Sequence, residues 1–122
     1  MASEVRSRAR SQAGFTLVEI LVVLLILSLL AAIAIPAFFS QRSKARDAEA
    51  KLQVRTAQTA IETYATEHDS RYGGASVTAL QAIEPSLSEI TAGNLTVNGM
   101  GNSGQFRISV ISVTGNEFWI RR

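Results

Sequence analysis

The residue best placed to do chemistry in this 122-residue chain is an acid at the edge of an apolar segment. Residues 14 to 19 read Gly-Phe-Thr-Leu-Val-Glu, and residues 20–39 that follow Glu19 carry one polar side chain, Ser28. A carboxylate well inside a membrane-spanning helix costs about 2.5–3.5 kcal/mol on insertion scales, so it calls for a positive partner or a place near the edge. A cut between Gly14 and Phe15 would create that partner, a free α-amine four residues before Glu19. A helix N-terminus also favours a nearby carboxylate, through its unsatisfied N–H groups and its macrodipole. An amine and a carboxylate on neighbouring helices would set register in a water-poor bundle. A subunit added one step out of place would leave both charges unpaired.

The remaining reactive residue types read as structural. His68 is the single histidine and has no accompanying ligand cluster, so an exposed helix-end residue is expected rather than a metal ligand. The absence of cysteine removes disulfides and thiolate-metal sites. The serines lack a nucleophile-elbow setting and there is no Walker-type loop. The glycine-rich stretch at residues 98–104 lies between strand patterns with no helix after it, which favours a hairpin over a phosphate cradle. Asn94-Leu-Thr matches a glycosylation sequon, a motif too short to carry weight by itself. Trp119 reads as a packing residue, in the core or between subunits, and Arg121 and Arg122 as solvated. No catalytic residue, metal or cofactor is expected, and the chain reads as a non-enzyme.

The elements that position Glu19 follow from hydropathy and charge. Twelve basic residues face ten acidic ones, but Arg6, Arg8 and Arg10 stand against Glu4 alone in the first 14 residues, leaving nine of each sign beyond. A basic excess confined to a short tail argues for membrane orientation with that tail cytoplasmic, and it leaves no direct nucleic-acid site evident. Residues 20–39 span about 30 Å as a helix, the thickness of a bilayer core. That segment has three readings: a plain single-pass anchor, a secretory signal cut after Ala34, or a helix that first spans a membrane and later packs against copies of itself.

Beyond the apolar run, Ala50, Val54, Ala57, Ile61 and Tyr64 fall on one helical stripe suited to packing on a sheet. Pro36 predicts a kink rather than a stop, and Gly73-Gly74 predicts the helix end. Arg42, Lys44, Arg46 and Lys51 either pair with Asp47 and Glu49 of neighbouring subunits or line a solvated face. Ser76 reads as the N-cap of a short helical turn that Pro85 closes. Period-2 patterns at residues 95–97, 105–113 and 117–122 predict three antiparallel strands. Phe106, Ile108 and Val110 share a face, and the phase shift at Ile111 and Val113 predicts a bulge or two-sided burial. The fold class is α+β: a long N-terminal helix on a small antiparallel sheet that needs the helix to be stable.

Gly14 to Glu19, preceded by a basic tail and followed by the long apolar run, resembles the class III signal of type IV prepilins and type II secretion pseudopilins. The close match covers residues 13–39, and the rest is similar in layout only. The resemblance implies cleavage after Gly14 by a prepilin peptidase, methylation of the Phe15 amine by the same enzyme, and attraction between Glu19 and the Phe15 amine of an adjacent subunit. Pro36 falls where many members carry a helix-loosening proline. It further implies a leader at residues 1–14, a transmembrane and filament-core segment at 15–39, a soluble amphipathic half-helix at 40–72, and a loop and sheet head at 73–122. The implied partners are copies of the chain, the peptidase, an inner-membrane assembly platform, and the lipid bilayer before assembly. The implied location is the inner membrane with a cytoplasmic N-terminus, then an extracellular or periplasmic filament.

Two functions stay open. One is a type IV pilin serving adhesion, twitching motility or DNA uptake, and the other is a major pseudopilin of type II secretion. A small secreted module with an ordinary signal is the remote alternative. The resemblance implies calcium in a late acidic loop for many major pseudopilins, and the late loop here has no carboxylate, which tilts the reading toward a pilin.

Overall fold

The computed structural model describes residues 14–101 and 104–122. The expected leader, apart from Gly14, and the middle of the glycine-rich turn lie outside the described residues. The backbone forms two compact units, one ending at Phe39 and the other running Ser40–Arg122.

Helix α1 (Leu17–Glu67) begins in the first unit and continues without a break through Pro36. Its first half is long and apolar enough to cross a membrane. Nothing among the described residues covers that half: Leu17 and Ile33 are 79% and 76% exposed. Its polar residue Ser28 is satisfied inside the helix, donating from Oγ to the Leu24 carbonyl at 2.7 Å. This i−4 bond is how a hydroxyl is carried through an apolar segment.

The second half of α1 meets the opposite condition. Ala50, Val54, Ala57, Ala60, Ile61, Tyr64 and Ala65 are buried in one cluster with Phe106, Ile108 and Val110 of the sheet. Small residues dominate this stripe, while Thr56, Thr59 and Thr63 return their hydroxyls to carbonyls four residues back. The helix ends at Glu67, short of the expected boundary at residue 72 and of the Gly73-Gly74 pair. Asp69 and Ser70 take left-handed backbone angles (φ 54° and 60°) and reverse the chain first. The Ser70 N–H then closes on the Ala65 carbonyl at 2.8 Å.

A short helix, α2 (Val77–Ile83), follows, with Ser76 as N-cap accepting from the Ala79 N–H at 3.2 Å. Pro85 opens a 3₁₀ turn (Pro85–Glu89) instead of closing the segment. Leu80, Leu87 and Ile90 drop from these turns into the core. Strands β1 (Leu95–Gly99), β2 (Phe106–Ile111) and β3 (Glu117–Arg121) form an antiparallel meander in the order β1-β2-β3. Leu95 pairs with Val110, and Ser109 with Trp119.

The expected bulge is absent from the described residues. The register runs unbroken to Ile111, where β2 ends, and Val113 is 70% exposed. The phase shift in the sequence marks the start of the turn into β3. Ser109 is nevertheless buried on the face away from α1, beneath the row that includes Trp119. Gly99 is required by packing, because a Cβ there would stand 1.8 Å from the Tyr72 carbonyl oxygen.

Candidate processing and assembly site

The start of α1 is built by a reciprocal hydrogen-bond pair. The Thr16 N–H donates to Glu19 Oε2 at 2.9 Å, and the Glu19 N–H donates to Thr16 Oγ1 at 3.2 Å. This is a capping box, in which two of the orphan donors of a helix start are satisfied by side chains three residues apart. Glu19 therefore has a role inside its own chain that reasoning from charge pairing missed. The signal was present as Thr-x-x-Glu before an apolar run.

Glu19 Oε1 has no donor among the described residues, so half of the carboxylate stays open. Phe15 is 85% exposed, and with Val18, Glu19, Ile20, Val22 and Val23 it lines an apolar surface beside that oxygen. Gly14 is exposed, and a Cβ there would meet no described heavy atom within 4 Å. Neither packing nor a left-handed φ asks for glycine at this position. Pro36 sits on the same uncovered half of the helix, where its missing N–H leaves the Ala32 carbonyl without its usual donor.

The stripe residues Ala50, Val54, Ala57, Ile61 and Tyr64 lie in the head, apart from this site. Two polar clasps flank them, and neither is visible in local sequence. At one end Asp47 accepts from Asn116 Nδ2 at 2.8 Å and from the Thr114 hydroxyl, tying α1 to the β2–β3 turn. Those bonds, from Thr114 first and then Asn116, hold the Asp47 carboxyl below the usual carboxylate range. At the other end Arg122 Nη1 donates to both Glu62 oxygens at 3.0 Å and to the Tyr72 hydroxyl at 2.8 Å. Tyr72 in turn donates to Glu62 Oε2 at 2.7 Å, and burial, reinforced by that carboxylate, pushes its phenol up. His68 is exposed, stacks on the Tyr64 ring at 3.9 Å and places Nδ1 2.8 Å from the Tyr64 carbonyl oxygen. Arg42, Lys44 and Arg46 make no ion pair among the described residues, and Lys51 Nζ lies 5.2 Å from the Phe118 ring centroid.

Residues 9–35 match the family model described as the prokaryotic N-terminal methylation motif. The chain is 40% identical over 58 residues to the competence protein ComGC of Halalkalibacterium halodurans, covering 48% of this chain and 57% of that protein. It is 39% identical over 56 residues to the type IV major pilin protein PilA of Myxococcus xanthus, covering 46% of this chain and 26% of that one. With the type II secretion system core protein G of Pseudomonas aeruginosa it shares 40% identity over 55 residues, covering 45% and 39%. The similarity thus spans a little over half of the first relative and less of the other two. No solved structure matches. The chain thus carries the prokaryotic N-terminal methylation motif and, over a little under half of its length, is similar to a competence protein, a type IV major pilin and a type II secretion core protein.

Proposed function

We propose that the chain is the structural subunit of a type IV pilus-like filament. It is made as an inner-membrane prepilin, cut after Gly14, methylated on Phe15 and polymerised through α1. Residues 1–14 are the leader in this reading, residues 15–39 the filament core, the rest of α1 the strut that carries the head, and residues 73–122 the loop and sheet exposed on the filament. Prepilin peptidase, an inner-membrane assembly platform and other copies of the chain are its partners, and lipid covers the apolar half before assembly.

One observation carries the reading: a half-helix of bilayer length with no cover among the described residues, headed by a carboxylate with one oxygen unengaged by them. The same apolar surface is satisfied by lipid and then by neighbouring helices. A heterologous contact that does not close on itself generates an open filament. Glu19 Oε1 is the acceptor for the Phe15 amine of the next subunit, while Oε2 keeps the helix capped. Gly14, which the fold does not require, is the residue the peptidase reads.

The similarity to core protein G supports a second reading, a major pseudopilin building a short periplasmic piston. The late loop, free of carboxylates, favours the pilus, with adhesion, twitching motility or DNA uptake as its service. Mass spectrometry of the mature N-terminus is the first test: methyl-Phe15 is expected, and a terminus at Ile35 would instead mean a secreted module with an ordinary signal. Immunolabelling of sheared surface fractions then separates the two filaments, because a pilin is recovered outside the cell and a periplasmic piston is not.

A further inference from the structure

The face of the sheet turned away from α1 carries a grouping that the balanced composition hides. Side chains alternate along each strand, so Thr96 and Asn98 of β1, Arg107, Ser109 and Ile111 of β2, and Glu117, Trp119 and Arg121 of β3 share this outer face, where the two arginines outnumber the one acid. Arg107 stands directly opposite Arg121, and Trp119 opposite Ser109. The Arg107 guanidinium lies 5.5 Å from the centroid of the Trp119 ring, yet Trp119 is still 54% exposed. Neither arginine has a carboxylate partner among the described residues, where the ion pair is that of the neighbouring Arg122 with Glu62 of α1. Asp47 and Glu62 are engaged in holding α1 to the sheet, and Glu117 lies at the Ile111 end of this face, whereas the two arginines lie at its other end.

We infer that this outer face is a stacking platform for single-stranded nucleic acid, with Trp119 receiving a base and Arg107 and Arg121 receiving backbone phosphates. The chemistry selects the ligand class. Two unpaired guanidinia on one face call for a polyanion, and an open indole among them calls for a planar ring at phosphate spacing. Single strands supply both, and every base has a π-face, so recognition through one aromatic is tolerant of sequence. Thr96 and Asn98 add donors and acceptors for base edges along the neighbouring strand. A duplex presents phosphates but keeps its bases stacked inside, so it engages the arginines alone. The platform is a property of the head and does not depend on whether the chain forms a filament.

The chain has one tryptophan, so its fluorescence reports this site directly. The test titrates the full-length protein, in non-ionic detergent micelles, with a 12-mer oligothymidylate at low salt. Saturable quenching is expected, with log K falling against log salt at a slope of about −1.4, the value for two neutralised phosphates on a single strand. By anisotropy of a labelled oligonucleotide, Trp119→Ala weakens binding about tenfold or more and Trp119→Phe by less. Arg107→Gln and Arg121→Gln each reduce the slope by about 0.7. Unchanged thermal unfolding of each variant shows that the fold is intact. No saturable quenching overturns the proposal, as does equal binding of an abasic phosphodiester chain, which would mean charge alone. Quenching by an acidic oligosaccharide but not by the oligonucleotide also overturns it, and marks a glycan platform instead.

Discussion

The two halves of α1 are one continuous helix under opposite constraints. Residues 17–39 offer Leu, Ile, Val and Phe on every side and find no cover among the described residues, whereas residues 50–65 offer mostly alanine on one stripe and are almost wholly buried there. Large apolar side chains all round suit a helix whose partners change from lipid to protein, because any direction of approach finds a greasy surface. A narrow stripe of small residues suits a single permanent partner, because it fixes one close distance and one rotation. The same secondary structure therefore has the make-up of an exchangeable surface in one half and of a fixed joint in the other.

Isoleucines in the two halves give the sharpest test of this contrast. Ile61 is fully buried and Ile26 is 51% exposed. Ile61→Ala is expected to lower the unfolding free energy of the head by about 2–5 kcal/mol, read by urea denaturation of the detergent-solubilised chain. Ile26→Ala should leave that value within about 0.5 kcal/mol and act only on filament yield. Equal losses from both would dissolve the distinction. Next in size is Gly99→Ala. Its Cβ would collide with the Tyr72 carbonyl, so β1 must shift, at a cost of about 1–3 kcal/mol in the same assay.

Cap substitutions probe the exchangeable half at its tip. Thr16→Ala removes one capping bond and should fray the first turn, at about 0.5–2 kcal/mol of local helix stability, seen as faster amide exchange at residues 18–20. Glu19→Gln keeps an acceptor for the cap but not the charge. Normal helix protection with failed polymerisation is the expected pair of results, and normal filaments would remove the amine-pairing role. The smallest effect concerns Asp47 in the fixed half. Its carboxyl is held low in the folded state, so the stability it contributes is present above the ordinary carboxylate pKa and fades as pH falls through the lowered value. Asp47→Asn should therefore differ from the parent at neutral pH and converge with it in acid, measured as thermal midpoints across a pH series.

Much of this division was legible in the sequence. The unbroken apolar run, the stripe from Ala50 to Tyr64 and the period-2 strands follow from local spacing alone, and the sheet and its partner helix are as that spacing requires. The misreadings have specific causes. The helix stops at Glu67 because Asp69 and Ser70 adopt the left-handed region, a choice that an adjacent glycine pair masks. The bulge was inferred from residues that belong to a turn. The capping box was readable in Thr16 and Glu19 and was overshadowed by the acid's charge. The clasps were not readable, since Asp47 and Asn116 are 69 positions apart and only the folded sheet brings them together. The outer face was hidden for a related reason: charge counts do not say which acids are already engaged.

The spacing of the two clasps has a mechanical consequence. Asp47 grips the turn just before β3, Glu62 grips Arg122 just after it, and about 22 Å of helix separates the two grips. A strand held at both ends against a rod resists sliding, because a pull along the rod loads both grips together with the ladder to β2 instead of peeling one bond at a time. The head is thus seated to bear tension along the part of α1 that it grips.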